Sequence, residues 1–425
     1  MEKTIEVTER WPSWASAIAS VLAQLFLVIQ GIFIARSLGP AARGDLGWIQ
    51  WAPPLISCVA AFGMTQALPA LVGSRPERGR PLFWSGLLTA FALAIILSVS
   101  AAAVFWWTDW PAQHLVGISI VFLLWSPIEM IVGFPRDYLL VRRKFRSYDF
   151  LKLLQSVLGC SAIIALSTFQ TLTPSTVALT LLSAAGLLGL IVWIQLGENL
   201  LPVSFASRGE VLSLLRFGGL CLVAGLASVL QARLLQWKVG VVFGADGLGF
   251  FLVAATWGAL GGPIWQVIQV RFYPAIAQAA SVSERRVLFQ RAIWIGSALC
   301  VVAIVVGYIA TPLVFPLLMG GKFSGGLGLA VGFAVAAPFQ AFGAFMGSCV
   351  RALGLAGLAL AIDYVGAATT IIVAFVVFSS GGSEQAIAWA VGVGGLSAVL
   401  CGSWLGLRRA ASHQETKSDR FQSTL

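Results

Sequence analysis

Apolar residues fall in uninterrupted stretches of about 20, joined by short polar connections, from residue 13 to residue 407. At 1.5 Å per residue such a stretch crosses a ~30 Å hydrocarbon core, so each predicts one membrane-spanning helix. The pattern predicts about twelve of them, over residues 13–36, 46–72, 82–107, 114–139, 149–169, 175–196, 215–239, 247–272, 289–310, 327–350, 356–378 and 385–407. Period-two alternation in short segments, which a membrane β-barrel needs, is absent. The chain reads as an all-α integral membrane protein.

Two passages along this pattern repeat at one offset of 205 positions. Gly39, Gly44, Pro69 and Ala70 correspond to Gly244, Gly249, Pro274 and Ala275, each beside similar apolar neighbours. Gly/Pro punctuation in matching places of two halves marks a duplicated membrane unit, with a substrate path between the copies. The expected organisation is a six-helix bundle over residues 1–200, a second over 201–410, and a disordered tail over 411–425. Spans five and six are expected to show Ile163 and Leu179 to lipid. Two amphipathic stretches, Ser204–Leu215 and Ser281–Arg291, read as interfacial helices, the first linking the halves.

Composition sharpens the assignment. The chain is 58% hydrophobic and 10% charged, far below the roughly one quarter of charged residues in soluble domains. The net charge of +10 gathers on alternate connections, such as Arg75 to Arg80, Arg142 to Arg146, Glu284 to Arg291 and Arg408-Arg409. The opposite connections, around Asp109, Thr173 and Gly381, are nearly free of cations. The positive-inside rule predicts a multi-pass protein with both termini and the basic loops cytoplasmic. Scattered loop cations meet anionic lipid headgroups and form no nucleic-acid-binding domain.

Catalytic and cofactor chemistry finds no support. No Gly-x-x-x-x-Gly-Lys phosphate loop occurs, the six cysteines stand singly without metal-ligand spacing, and no cofactor or metal site is expected. His114 and His413 lie at a loop edge and in the tail. The strings Gly325-Gly326-Leu-Gly328 and Gly392-Val-Gly394-Gly395, with Gly343-x-x-x-Gly347 and Gly402-x-x-x-Gly406, read as close helix packing.

Polar groups inside the bilayer carry the functional signal, because a charge at its centre costs ~2.5–3.5 kcal/mol on insertion scales. Arg233 lies within span seven, either as a cavity cation or snorkelling to the interface. Arg36 is a cavity-rim or interfacial residue, and Lys238 an anchor. Glu129 in span four faces an aqueous cavity or bonds a neighbouring helix, and Asp363 is an interfacial acid or a second ion-coupling group. Ala52-Pro53-Pro54 breaks span two and Gly261-Gly262-Pro263 breaks span eight, near equivalence under the repeat. Freed carbonyls in a membrane must find partners or line water. Gln50, Gln66, Gln266 and Gln269 stand around the breaks, with Gln24 and Gln30 on span one. Such amides suit a hydroxyl-rich cargo, or helix–helix hydrogen bonds.

The passage Ala35-Arg36-Ser-Leu38-Gly39-Pro40-Ala-Ala-Arg43-Gly44, followed by Gly63-Met-Thr-Gln66-Ala-Leu68, resembles the polysaccharide-export flippases of O-antigen type. These belong to the multidrug/oligosaccharidyl-lipid/polysaccharide exporter superfamily. The second copy, Val241–Ala255, is similar to the family's corresponding passage, but Ala232-Arg233 keeps a cation where an acidic–basic pair is common. The resemblance implies two six-helix bundles in a V related by a pseudo-twofold axis. It also implies a glycan on a polyprenyl-pyrophosphate-type carrier as cargo, flipped outward by alternating access, with a polysaccharide polymerase or glycosyltransferases as partners. An ion-coupled multidrug antiporter of the same superfamily is the first alternative. A membrane glycan polymerase or transferase is the second, and a non-transporting assembly factor the third.

Overall fold

The computed structural model describes residues 13–72, 78–107, 116–142, 144–169, 171–279 and 281–422. The loop residues Arg75, Asp109, His114 and Arg143 lie outside them. The described residues form fourteen α-helices and two short 3₁₀ turns. They are α1 (Ser13–Leu38), α2 (Pro40–Ile49), α3 (Pro53–Ala61), α4 (Met64–Val72), α5 (Gly79–Trp107), α6 (Val116–Val141) and α7 (Phe145–Phe169). Then follow α8 (Pro174–Leu200), α9 (Arg208–Gly258), α10 (Gly262–Gln278), α11 (Val282–Met319), α12 (Leu327–Ala352), α13 (Ala356–Ser379) and α14 (Glu384–Gln422).

Nine stretches among the described residues are long and apolar enough to cross a membrane. One, Gly225–Ala277, holds two of the predicted spans. The predicted second span is cut into α2, α3 and α4, and the fourth, α6, carries Glu129, Arg136 and Asp137. With those two, the spans read from hydropathy are all present as helix. The chain is an integral, multi-pass, all-α membrane protein.

The chain forms two compact units, one of Met1–Leu38 with Asp45–Arg233, the other of Gly39–Gly44 with Leu234–Leu425. The division falls inside α9, not near residue 200 where the repeat placed it. The reason is packing. The first part of α9 lies so close to the α3–α4 turn that a Cβ on Gly63 would collide with the Gly218 carbonyl. Leu214 of α9 is fully buried in the same unit's core.

In the first unit, Phe83 of α5 packs on Phe134 and Tyr138 of α6, with ring centroids 5.7 and 4.6 Å apart. The chain leaving α8 is pinned to the start of α5. Trp84 donates to the Leu200 carbonyl at 3.0 Å, Arg80 to Leu201 at 3.0 Å, and Arg78 pairs with Glu210 at 3.1 Å. The Ser207 amide donates to the Glu210 carboxylate at 3.0 Å, and the Glu210 amide to the Ser207 hydroxyl at 3.4 Å, a capping box that starts α9. The two amphipathic stretches thus continue directly into α9 and α11 and form no separate interfacial helices. Ile163, expected to face lipid, is fully buried beside Val177 and Ala178, because α7 packs its small-residue face on α8; Leu179 is exposed as expected.

In the second unit, Trp265 stacks on Phe342 at 5.5 Å, beside Phe345. The glycine strings work as helix contacts. A Cβ on Gly343 would crowd Ala398, one on Gly395 would collide with the backbone at Phe339–Gln340, and one on Gly406 with Phe289. α14 runs to Gln422 and so carries helix into the segment expected as a disordered tail.

The repeat shows in the backbone. Gly39 and Gly244 both take a left-handed φ, +78° and +70°, the conformation glycine adopts without a Cβ penalty. The passages that follow pack on each other within the second unit. A Cβ on Gly44 would collide with the Ala245 carbonyl, and one on Gly249 with the Pro40 carbonyl. Pro40 and Ala245 are themselves equivalent under the repeat, so the contact is reciprocal, as at a local twofold axis.

Candidate functional site

The polar groups of the first unit converge on the break in its second span. Pro53 and Pro54 have no N–H, so the carbonyls of Ile49 and Gln50 lose the donors a continuous helix would give them. The chain turns through Gln50, Trp51 and Ala52, with the Trp51 amide donating back to Trp48 at 3.1 Å. The Arg233 guanidinium of α9 donates to the Gln50 carbonyl at 3.2 Å. In return the Trp51 indole donates to the Arg233 carbonyl at 2.7 Å. Arg233 is thus attached to the helix break.

On the other side, α6 offers Ser126 and Glu129, one turn apart on one face. The Ser126 hydroxyl donates to the Pro53 carbonyl at 3.1 Å, and the Ser57 hydroxyl of α3 donates to the Glu129 carboxylate at 2.5 Å. The Glu129 carboxylate is thus bonded to a neighbouring helix. Glu129 and Arg233 also interact electrostatically, and Arg136 and Asp137 add to the field at Glu129. Further along α6, Arg136 donates to Gln155 at 2.7 Å and lies 3.6 Å from the Asp137 carboxylate. Buried Asp149 of α7 accepts from the Ser16 hydroxyl, and Lys152 donates to Ser20 at 3.3 Å. Polar groups therefore continue from Glu129 along the α6–α7 side of the unit.

A second interruption follows at Phe62 and Gly63, with φ of 47° and 64°. It was not anticipated, although Gly63 stood in the motif that closes this span. Ser57, Trp51 and Ser126 were also missed. Each is a common residue in an apolar run, and only the tertiary pairing gives it a role.

The remaining sequence-derived residues distribute as follows. Gln30 is buried with its carboxamide against Gly159 of α7, so it serves helix contact. Gln24 is half-buried on α1, and Arg36 is exposed in its last turn. Gln66 and Gln266 are exposed, and Gln269 is half-buried. Lys238 lies over the Phe375 and Phe378 rings at 5.4 and 5.8 Å, a cation–π anchor. Asp363 pairs with Arg351 at 2.9 Å, so its carboxylate ties α13 to α12.

The break at Gly262-Pro263 is built differently. A 3₁₀ turn over Ala259–Gly261 precedes it, and the Gly262 amide donates to the Ala259 carbonyl, so the backbone heals its own lost bond. Gly262 lines a cavity of about 370 Å³ with Gly258, Trp265, Ala303 and Gln340. A cavity of about 390 Å³ beside the other break is lined by Trp51, Ala52, Leu55, Leu97 and Val104. Both are mostly apolar, with the Gln340 amide at the edge of the first. No group of three or more His, Cys, Asp or Glu residues that could hold a metal occurs among the described residues.

A family profile described as polysaccharide biosynthesis protein matches residues 33–325, most of the chain and both copies of the repeated passage. The chain belongs to that family. No curated protein sequence matches. Solved transporter structures share the fold. An inward-facing multidrug resistance MATE family transporter of the MOP superfamily matches with a TM-score of 0.74 at 15% identity, covering 94% of this chain and 99% of that one. An outward-facing one matches at 0.63 and 16% identity, covering 95% of each chain. A MOP superfamily transporter from Pyrococcus furiosus, described by a reversed polarity of its binding pocket, matches at 0.59 and 15% identity, covering 95% of each. The family and the fold together agree with the sequence resemblance to the polysaccharide-export branch of that superfamily.

Proposed function

We propose that this protein flips a lipid-linked oligosaccharide, on a polyprenyl-pyrophosphate-type carrier, from the inner to the outer leaflet of a bacterial inner membrane by alternating access. Termini and basic loops face the cytoplasm in this reading, where a polymerase or glycosyltransferases of surface polysaccharide assembly work beside it. The family match to polysaccharide biosynthesis, on a transporter fold, is the observation that carries the proposal. Arg233 is the group assigned to the carrier's phosphate. Its planar fork donates two parallel hydrogen bonds to an oxyanion, and it already sits at a helix break. Arg36, Gln24, Gln50, Gln66, Gln266 and Gln269 remain the proposed contacts for cargo, and Glu129 the proposed ion-coupling group.

Surface glycan in a flippase-deficient host tests this. Arg233→Lys should retain partial export, since charge survives while the fork is lost, and Arg233→Gln should abolish it at normal protein abundance. Normal surface glycan from Arg233→Gln would remove the phosphate assignment. Multidrug export is the second reading, favoured by the fold shared with multidrug transporters, with the Glu129 carboxylate as a site for cationic drugs. Resistance to cationic dyes, lost in Glu129→Gln, would establish it instead.

A further inference from the structure

Two cations of the second unit, Arg43 and Lys322, have no side-chain hydrogen bond or ion pair among the described residues. The Nη1 of Arg43 is moreover buried, and no acid compensates its charge. A buried donor without an acceptor carries the full cost of its lost hydration, so it calls for a ligand or an ion. Both residues stand on cation-poor connections, after spans one and nine, against the bias that orients the protein.

The fold itself asks for no charge at position 43. Under the repeat it corresponds to Leu248, which is fully buried. The neighbouring Gly44 and Gly249 make the reciprocal contact described above, so the two copies are built alike here. One copy uses a leucine and the other a guanidinium.

Local geometry gathers donors at the start of α2. Pro40 has no N–H, and the Arg43 amide takes the Gly39 carbonyl at 3.0 Å, which leaves the Ala41 and Ala42 amides as the free donors of the first turn. Helical side chains lean toward the N-terminus of their own helix, so Arg43 lies over that turn. Lys322 reaches the same turn from the 3₁₀ segment Gly321–Gly326. Its Cδ stands 3.6 Å from where a Cβ on Gly39 would sit, and the residue is exposed.

We propose that Arg43, Lys322 and the first turn of α2 form a phosphate site, and that a lipid-borne phosphate fills it. A guanidinium fork, an ammonium and two amides at a positive helix end offer more donors and charge than one carboxylate uses, and they match the oxygens of a phosphate. The lipid source rests on the flipping reading above: on the cation-poor face, the site holds the carrier's headgroup after it has crossed. The site belongs to the second unit and makes no use of Arg233.

The probe is farnesyl pyrophosphate, titrated into the full-length protein in phosphatidylcholine nanodiscs. Arg233→Gln is the background, because Arg233 is also assigned a phosphate. There Arg43→Leu, which repeats the leucine of the other copy, should weaken binding about 10-fold without lowering the thermal midpoint, and Arg43→Lys about 3-fold. Lys322→Gln tests the site at an exposed position, where folding is not at stake, and should weaken binding about 3-fold. Binding unchanged by both Arg43→Leu and Lys322→Gln would overturn the site. Inorganic pyrophosphate binding as tightly as the probe would overturn the lipid source and leave a site for free phosphate. Probe affinity that no longer depends on Arg43 in phosphatidylglycerol nanodiscs would overturn the carrier as occupant and assign the site to the bilayer's own headgroups. These titrations are independent of surface glycan, so the flipping reading can fail while the site stands.

Discussion

A residue's chemistry was legible in this sequence where its type is rare in its surroundings, and its partner was not. Glu129 and Arg233 stood out because charge is costly in hydrocarbon. Ser57, Gln50 and Trp51 did not, because a serine hydroxyl or a freed carbonyl gains meaning only from what folds against it, here across as many as 183 positions. Lys238 and Asp363 show the reverse, as conspicuous charges that are anchored by phenyl rings and by Arg351. Glycine makes the clearest prediction at this scale. Gly44 and Gly249 each abut a carbonyl of the other passage, where a Cβ finds no room. Forcing a methyl into a filled contact costs on the order of 1–3 kcal/mol. Gly44→Ala and Gly249→Ala should each lower the thermal midpoint in detergent, and by similar amounts because the contact is reciprocal. Gly133→Ala, with open space around its Cβ, should leave it unchanged.

At the scale of elements, hydropathy located the spans, and proline spacing located the breaks. What each break does could not be read, because it depends on which group reaches the freed carbonyl. In the first unit that group is a charged side chain from α9, whereas in the second it is the chain's own amide. The two breaks should therefore respond unequally to repair. Pro54→Ala restores an N–H aimed at the Gln50 carbonyl and competes with Arg233 for it. Both Pro54 and Pro263 occupy first-turn positions, where proline is well tolerated, so neither replacement should lower thermal stability. Export should fall markedly for Pro54→Ala and much less for Pro263→Ala, with the lipid-exposed Leu179→Ala near wild type. Equal export from all three variants would show that the Arg233 clamp on the break has no part in transport.

For the whole molecule, the repeat was readable as four matched positions, and the backbone keeps it in the paired left-handed Gly39 and Gly244. The unit boundary was not readable, because it falls at Arg233, within the unbroken helix that precedes the Gly244 kink of α9 and whose first part packs with the first unit. Hydropathy gives no warning when a helix changes company midway. Orientation is a separate matter, since it is set by where cations lie relative to the spans rather than by packing. The basic connections at Arg78, Arg143 and Arg286 and the cation-poor ones at Asp109, Thr173 and Gly381 alternate along the chain. With the six native cysteines replaced, single cysteines at the first three positions should be shielded from an impermeant thiol reagent added outside intact cells. Those at the last three should react, and all six should react once the membrane is opened. Labelling at Arg143 from outside would invert the orientation. The proposed direction of flipping would then fail, because a glycan assembled on the cytoplasmic face would meet the side of the protein proposed to release it.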